Sequence, residues 1–247
     1  MRRFLFWSLC FCLLFPVGLS SCDGSDSAAV IFGGTTGKLT WTLTEDGVLT
    51  ITGEGPMPDY RDGGTSETPP WYPHVNRISS LTIGEGVTRI GDYAFMLCSF
   101  VTEVVIPESV TSMGDWAFSY CSALITVSFE HESQLKIIQG SYEKIYVGHS
   151  PNGYNRYYRS GGFRGLANLT TFDASNCSQI ESIEPSAFYH CSKLQSVKVG
   201  TMIPPTCGID AFSELNSYTI LTVPKESIEA YKQANEWKNF TNITALN

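Results

Sequence analysis

Hydrophobic and polar positions recur along the chain with a period of 23 residues. Residues 81–98 and residues 104–121 carry apolar side chains at the same offsets, which are Leu81/Val104, Ile83/Ile106, Val87/Val110, Ile90/Met113 and Phe95/Phe118. The same frame returns around Phe188 and again around Phe212. Another copy is split into two halves, Val127 to Ile138 and Phe163 to Leu166. A fixed period of this length predicts a repeat architecture.

Each repeat combines a short strand with a turn. In residues 81–83 and 104–106 alternate side chains are apolar, which is typical of a strand with one buried face. Gly or Pro follows and turns the chain, and the Ala-Phe segment is expected on the opposite wall as a short helical or turn element. A single repeat cannot bury its apolar face, but stacked repeats share one core. Cys98, Cys121 and Cys191 occupy one repeat position and are predicted to form a buried column.

The split copy contains an insertion. Met113 reaches Phe118 in five steps, whereas Ile138 reaches Phe163 in 25. Residues 140–161 are therefore predicted to be an inserted loop outside the core. Its candidate ligand-binding residues are Tyr142, Tyr146, Tyr154, Arg156, Tyr157, Tyr158 and Arg159. Tyr and Arg are common in adaptable binding surfaces. The alternative is that these tyrosines pack on the solenoid wall and bind nothing.

The repeats resemble those of a known family. The segments Ile83–Cys98, Ile106–Cys121 and Ile180–Cys191 are similar to the leucine-rich repeats of BspA-like bacterial surface proteins. The resemblance implies a β-rich solenoid over residues 79–223. It also implies attachment to host or bacterial proteins as a function.

The two ends of the repeat region are expected to be caps. Residues 39–44 and 48–51 alternate around an Asp-Gly turn and predict a hairpin within an N-terminal β cap, residues 35–78. The segment Pro69-Pro70-Trp71-Tyr72 resembles the motif that leads into the first repeat of this family. Residues 224–247 are predicted to be a C-terminal helical cap, in which Trp237 and Phe240 cover the last core layer.

The N-terminus indicates export and a lipid anchor. Arg2 and Arg3 precede an apolar run from Phe4 to Val17, which is shorter than the ~20 residues that a spanning helix needs. Leu19-Ser20-Ser21-Cys22 resembles the bacterial lipobox, although an ordinary signal peptide could also end before a cysteine. Residues 1–21 are therefore predicted to be a lipoprotein signal peptide and residues 22–34 a flexible tether. The acidic tether loosely resembles the surface-export signals of Bacteroidetes lipoproteins, so we expect a surface-exposed outer-membrane protein lipidated at Cys22.

Charge narrows the choice of partners. The formal net charge is −8, which argues against nucleic acid because phosphate binding needs a basic field. The inserted region is the exception to this acidity. From residue 136 to residue 164 there are five bases, Lys136, Lys144, Arg156, Arg159 and Arg164, against one acid, Glu143, a net of +4. An anionic partner is therefore expected there, and membrane contact is expected through the lipid anchor alone.

Candidate chemistry is sparse. The five cysteines that follow Cys22 are expected to be free and buried, although the strand spacing would also allow a Cys98–Cys121 disulfide. No pair of histidines has metal-ligand spacing, so we expect neither a metal nor a cofactor. The positions predicted to line the inner sheet, Thr82, Val105, Ser128, Lys198 and Thr222, carry one charge between them, so this face is expected to offer little specificity. The sequence favours a non-catalytic, adhesin-like or scaffold protein that binds an extracellular protein or glycan. The alternative is a glycan-binding accessory lipoprotein that uses the Tyr/Arg-rich insertion.

Overall fold

The structure, a computed structural model, describes residues 28–61, 67–146, 155–213 and 215–246; for residues 142–146 and 155–159 the description is of the backbone. Its strands in chain order are β1 (Val30–Thr36), β2 (Leu39–Thr44), β3 (Val48–Gly53), β4 (Gly55–Pro56), β5 (Ser80–Ile83), β6 (Val87–Ile90), β7 (Glu103–Ile106), β8 (Ser112–Met113), β9 (Thr126–Phe129), β10 (Ile137–Ile138), β11 (Gly140–Tyr146), β12 (Asn155–Gly161), β13 (Thr171–Ala174), β14 (Ser182–Ile183), β15 (Ser196–Val199), β16 (Thr206–Cys207), β17 (Ile220–Val223) and β18 (Asn242–Ala245). The one α-helix of these described ranges is α1 (Ile228–Gln233), and 3₁₀ turns span Tyr72–Arg77, Lys225–Ser227 and Trp237–Asn239.

Two parallel sheets form opposite sides of a solenoid. One has the strand order β7-β9-β13-β15-β17-β18, and the other has the order β4-β6-β8-β10-β14-β16. Equivalent repeat residues are register partners, as Val104 and Val127 are. Alternate side chains of β7, β9, β13 and β15 point inward and are buried. The strand-rich repeat fold is therefore the one that the apolar pattern predicts.

The split copy behaves as one coil of the solenoid. Ile138 of β10 pairs with Met113 of β8 on one side and with Ile183 of β14 on the other. Phe163 lies in the stack of repeat phenylalanines between Phe118 and Phe188. The insertion therefore interrupts the sequence of this coil without interrupting its place in the solenoid.

The N-terminal sheet is larger than the predicted hairpin. Its order is β1-β2-β3-β5, antiparallel except where β3 runs parallel to β5. β1 begins at Val30, inside the segment predicted to be tether, so the tether ends before that residue. The ring of Phe32 stacks on His74 at 3.8 Å between centroids, a tertiary contact that fixes the added strand.

A stack of aromatic rings runs through the core. Centroids are separated by 5.7 Å for Trp71–Phe95, 5.2 Å for Phe95–Phe118, 5.7 Å for Phe118–Phe163, 5.0 Å for Phe163–Phe188, 4.9 Å for Phe188–Phe212 and 5.3 Å for Phe212–Trp237. A tryptophan ends the stack on each side, and each indole nitrogen donates to a carbonyl oxygen, Trp71 to Ala94 and Trp237 to Pro205, both at 2.8 Å. The column therefore ends with its polar atoms satisfied, as buried indoles require.

The wall around this column is a ladder of turns rather than strands. Residues two positions before the repeat phenylalanine have left-handed backbone, with φ of 57° at Tyr93 and at Trp116. Residues two positions after it do so as well, with φ of 66° at Leu97 and 58° at Tyr120. Such angles are unfavourable for large side chains. Backbone bonds between coils hold them, because the N–H groups of residues 93, 95 and 97 donate to the carbonyls of residues 115, 117 and 119.

The C-terminal segment is less helical than predicted. α1 is short, and the chain then forms β18, which extends the parallel sheet beyond β17. Phe240 packs edge-on against Phe212 at 5.3 Å, and the hydroxyl of Tyr231 bonds to Thr201 at 2.6 Å. Apolar residues from α1 and the turn after it thus lie against the last coil. Within the described ranges, no helix has the length and hydropathy needed to cross a bilayer.

Candidate functional site

The predicted inserted loop is instead a β-hairpin. β11 and β12 pair antiparallel, with Gly140 opposite Gly161 at the base and Tyr146 opposite Asn155 at the far end of the described strands. In the described part of residues 140–161 the chain is paired strand rather than the predicted loop, because Tyr and Ile favour strands despite the flanking glycines. The insertion is therefore a regular element that can present residues in a fixed register.

The base of the hairpin is tied to the neighbouring coil. The Ser160 hydroxyl donates to Oδ2 of Asp115 at 2.6 Å and lies 2.7 Å from the Ser141 hydroxyl. In an earlier coil the equivalent carboxylate, that of Asp92, accepts the backbone N–H of Asp115 at 2.9 Å. Asp115 occupies the same repeat position as Asp92, but its carboxylate accepts a hydrogen bond from the insertion. Ser160 is buried and Asp115 is half-buried, so the contact lies partly out of water.

Two glycines let the hairpin leave the wall. A Cβ atom at Gly140 would lie 2.1 Å from the carbonyl oxygen of Pro185, and one at Gly161 would lie 2.3 Å from that of Ser186. Such distances do not occur in proteins, so both positions require glycine. Counted with these two glycines, the path from Ile138 to Phe163 has the five steps of the other coils. Gly140 and Gly161 therefore belong to the repeat frame, and the inserted residues are 141–160.

The pairing of β11 with β12 distributes the candidate residues over two faces. Register partners are Tyr142 with Arg159, Glu143 with Tyr158, Lys144 with Tyr157, Ile145 with Arg156 and Tyr146 with Asn155. Because successive strand residues alternate in direction, the pairs Tyr142–Arg159, Lys144–Tyr157 and Tyr146–Asn155 share one face. Tyr154 lies outside the described residues, as does Cys22, the predicted lipidation site.

A second group of rings covers the wall from which the hairpin emerges. We call it the aromatic wall and define it as Tyr93, Trp116, Tyr120, Arg164 and Tyr189. Tyr93 stacks on Trp116 at 5.9 Å with an interplanar angle of 6°, and Trp116 lies 6.0 Å from Tyr120. The guanidinium carbon of Arg164 lies 4.8 Å from the Trp116 centroid, 5.5 Å from that of Tyr120 and 5.6 Å from that of Tyr189. These contacts link successive coils outside the core.

Arg164 is the central cation of the aromatic wall. Its Nη1 donates to the Tyr120 hydroxyl, and its Nε is buried without a hydrogen-bond partner. No carboxylate among the described residues forms an ion pair with it. Cation–π contacts stabilise the guanidinium, whose Nε is closed to solvent and whose Nη1 already has a partner. The contacts of Arg164 therefore join the rings of successive coils.

The exposed face of the β7–β18 sheet is more charged than predicted. Asp173 of β13 lies beside Lys198 of β15 in the row of exposed positions, and the two side chains form an ion pair at 2.7 Å. Burial raises the pKa of Asp173, but hydrogen bonds from Lys198 and Ser175 outweigh it and hold the pKa below its ordinary value. An open groove of about 690 Å³ lies near Lys198, lined largely by Ser, Thr and Asn. Its cation is already paired, so the groove offers hydroxyl groups rather than a free charge.

Four of the five cysteines that are predicted to be buried are buried, and Cys207 is half-buried. Cys98, Cys121 and Cys177 lie outside any disulfide. The Cys121 thiol donates to the carbonyl oxygen of Phe95 at 3.1 Å, and Cys191 does the same to Phe163. Burial raises the pKa of Cys121 to about 12. In the part of the chain that the structure describes, no group of His, Cys, Asp or Glu side chains could hold a metal ion.

Sequence reasoning missed the aromatic wall. Trp116 and Tyr120 lie two positions before and after Phe118, and Arg164 and Tyr189 come directly after Phe163 and Phe188. The repeat alignment contains these offsets, so the signal was present. What it lacked was the left-handed backbone of Trp116 and Tyr120 and the cation–π contacts through which Arg164 joins the rings.

The comparisons agree with this architecture. Residues 72–146 and 156–247 match the sequence profile of a family described as "BspA type Leucine rich repeat region (6 copies)". No curated protein matches the chain significantly.

Two solved structures are similar. A leucine-rich repeat protein from Eubacterium ventriosum is 19% identical, with 88% of this chain and 85% of that chain covered and a TM-score of 0.35. A leucine rich cell surface protein from Faecalibacterium prausnitzii is 22% identical, with 81% of this chain and 45% of that chain covered and a TM-score of 0.37. The profile match spans most of the solenoid and both flanks of the hairpin. On that match, the chain belongs to the BspA-type leucine-rich-repeat family.

Proposed function

We propose that this chain is a non-catalytic binding protein, displayed on a bacterial surface and held there by a lipid on Cys22. Its role is adhesin-like, with a protein or glycan outside the cell as its partner. The lipobox-like Leu19–Cys22 segment and the family membership support the location. One similar protein carries the description of a cell surface protein.

The observation that carries the proposal is the mounting of the hairpin. Ser160, Asp115 and the two base glycines fix its exit from the wall, and the aromatic wall lies beside that exit. A solenoid needs neither feature to close its core, since the other coils run through the same turn with no insertion. An element of Tyr and Arg held on a rigid scaffold is suited to recognition.

Repeat length and caps belong to the same proposal. We take the repeat as 23 residues with small additions, the β1–β3 strands as the cap of the first coil, and α1 with Trp237 as the cap of the last. Terminal repeats of a solenoid need such covers, because they would otherwise expose core residues or an unpaired strand edge.

Binding by intact cells tests the proposal. Cells that express the full chain, cells that express the chain lacking residues 141–160 and empty cells are compared on immobilised matrix proteins and on a glycan array. We expect the full chain to confer binding and the deletion to remove it. Equal binding by both chains would reject the hairpin as the site, and no binding by either would reject the function.

The second candidate is a glycan-binding accessory lipoprotein. The Tyr120 ring supports it, because 38% of this residue is exposed on the aromatic wall and flat rings stack on sugars. The same assay separates the two candidates where the partner is a protein. Binding to immobilised matrix proteins would support the adhesin-like role, and binding to the glycan array alone would support the accessory role.

A further inference from the structure

The sheet that begins at β7 ends in β18, a strand with one unpaired side. β18 pairs in parallel with β17, and the backbone N–H of Leu246 donates to the carbonyl oxygen of Val223 at 2.8 Å. Because backbone groups alternate in direction along a strand, the N–H and C=O groups of Ile243 and Ala245 point away from β17. Among the residues that the structure describes, no further strand pairs with this side of β18.

This edge lacks the features that usually block pairing with another chain. Sheet edges are commonly protected by charged side chains, by proline or by a covering segment. Residues 239–247 contain no charged side chain and no proline. Thr244 is exposed, and with Ala245 and Leu246 it lines the open groove near Lys198. The edge is therefore open to a further strand.

Charge favours a second copy of this chain as the partner. The side chains of residues 224–247 have no net charge, since three Lys and three Glu cancel, whereas the whole chain carries −8. Two copies of an acidic protein repel each other through their net charges. The neutral C-terminal end lets a second copy approach without this repulsion.

The sequence of β18 is also complementary to itself. In an antiparallel pair centred on Thr244, Ile243 lies opposite Ala245 of the second copy and exchanges both backbone hydrogen bonds with it. Symmetry repeats this exchange, so the outward groups of both strands are all used. Thr244 then faces Thr244 of the second copy, and the two side chains form a cross-strand pair on the exposed face.

From these observations we propose that β18 is a docking edge for a second copy of this chain. Two copies join through antiparallel β18 strands into one sheet of twelve strands, six from each copy. Such a contact uses the same surface on both copies and therefore closes at a dimer. The inference goes beyond the proposed function, because neither the hairpin nor the lipid anchor takes part in the contact.

One alternative arrangement uses the strand edge at the other end of the molecule. β1 is the outermost strand of the N-terminal sheet, so β18 of one copy would pair with β1 of the next. This head-to-tail contact leaves an edge open at each end and produces filaments rather than dimers. The two arrangements differ in what residue 244 faces, which the following experiments measure.

Capture of differently tagged copies tests the interface. Two tagged forms of the full chain are purified in detergent, mixed and passed over a resin that binds one tag, and the retained amount of the other form is measured. We expect the wild type to be retained. Thr244→Lys in both forms should lower retention by roughly tenfold or more, because like charges then face each other across the two-fold axis. Thr82→Lys places the same charge on the exposed face of β5 and should leave retention unchanged.

Opposite charges should restore the contact. A Thr244→Lys form mixed with a Thr244→Glu form should be retained like the wild type, whereas two Thr244→Glu forms should not. This rescue requires that residue 244 face itself. Neither a head-to-tail contact nor two chains sharing a detergent micelle would produce it.

Disulfide formation measures the register. Thr244→Cys should give a covalent dimer when copper phenanthroline oxidises the two thiols, because the opposed Cα atoms of such a pair are about 4.5 Å apart. Thr222 of β17 is the register partner of Thr244 and provides the control. Three strand spacings, about 14 Å, would separate Thr222→Cys from its copy, so it should give no dimer. Wild type oxidised in parallel gives the background from the native cysteines.

Four results would overturn the inference. These are no retention of the wild type, retention that Thr244→Lys leaves unchanged, failure of the Lys and Glu forms to restore retention, and equal cross-linking at positions 244 and 222. None of them concerns the binding of matrix proteins or glycans by cells that display the chain. The proposed function therefore stands or fails on its own assay.

Discussion

The backbone N–H of Gly162 donates to the carbonyl oxygen of Gln139 at 3.0 Å. The two residues flank the hairpin, so this hydrogen bond joins the two ends of the insertion across its base. The coil that carries the hairpin is therefore complete in its backbone hydrogen bonds. Gly162 also accepts from Phe118, which ties this junction to the preceding coil.

Removal of residues 141–160 should leave the solenoid folded. Gly140 would then join Gly161, which restores the five steps from Ile138 to Phe163. We expect a cooperative thermal transition and a circular dichroism spectrum of a strand-rich protein. Removal of residues 138–161, which also takes Ile138 from the core, should abolish the transition and serves as the control. A deletion of 141–160 that does not fold would show that the hairpin is structural.

The aromatic stack should dominate stability. Phe118→Ala removes a ring that contacts Phe95 and Phe163, and we expect it to cost roughly 3–5 kcal/mol of unfolding free energy. Phe100→Ala is the matched control, because Phe100 is 57% exposed, and its cost should stay within about 0.5 kcal/mol. Urea titrations of both variants measure the difference. Similar midpoints would contradict the stack.

The buried thiols should resist alkylation. The Cys121 pKa of about 12 and the burial of Cys98 keep both thiols protonated and covered at pH 8. We expect iodoacetamide to leave them unmodified in the native protein and to label them in guanidinium chloride. Mass spectrometry of digested samples locates the label. Rapid native labelling of Cys121 would show that the coil opens locally.

Stability should fall as pH rises through neutrality because of one glutamate group. A hydrogen bond with Glu130, then burial and the charges of Glu130 and Glu108, raises the pKa of Glu85 to about 7 from 4.5. Between pH 4.5 and about pH 7 the folded state therefore keeps a proton on Glu85 that the unfolded state has released. Binding of this proton stabilises the folded state, and that stabilisation is lost as the pH rises through 7. Glu85→Gln should flatten the profile of urea midpoints between pH 5 and about pH 8.

Glu45→Gln serves as the control for that profile, because Glu45 is exposed in the turn between β2 and β3. Salt should shrink the Glu85 effect, since the group is nearly fully solvated and its repulsion is screened. A profile that Glu85→Gln leaves unchanged at low salt would contradict the proton shared with Glu130.

Membrane attachment should depend on Cys22. Cys22→Ala removes the acylation site of the lipobox-like segment, and we expect the protein to leave the membrane fraction. Cys207→Ala is the control and should stay membrane-bound. Fractionation of cells followed by immunoblotting gives the result. Retention of the Cys22 variant after washing without detergent would reject lipid anchoring.

The apolar period predicts the repeat fold because the solenoid core is built from nearest neighbours. Phe95 stacks on its equivalent Phe118, and Val104 is the register partner of its equivalent Val127, so a match in sequence becomes a match in space. The same reasoning fails for β1. Val30–Thr36 contains two glycines and no repeat pattern, and it becomes a strand through pairing with β2 and the contact of Phe32 with His74.

The site was harder to predict, since it depends on how distant residues meet. The hydrogen bond from Ser160 to Asp115 joins residues 45 positions apart and exists because the insertion leaves the frame at Gly140. The ion pair of Asp173 with Lys198 was missed for a related reason. The insertion displaces β13 from the 23-residue count, so Asp173 was left out of the row of exposed positions.

The tryptophans at the two ends of the core stack give the protein a built-in pair of fluorescent reporters. Trp71 and Trp237 are both fully buried, and they are separated by the whole series of phenylalanines. Because coils interact with their neighbours, a solenoid can fray from one terminus while the other stays folded. With Trp7, Trp41 and Trp116 replaced by Phe, removing one end tryptophan at a time lets the remaining emission follow a single terminus. The order in which the two emission maxima shift to longer wavelength shows which end of the solenoid unfolds first.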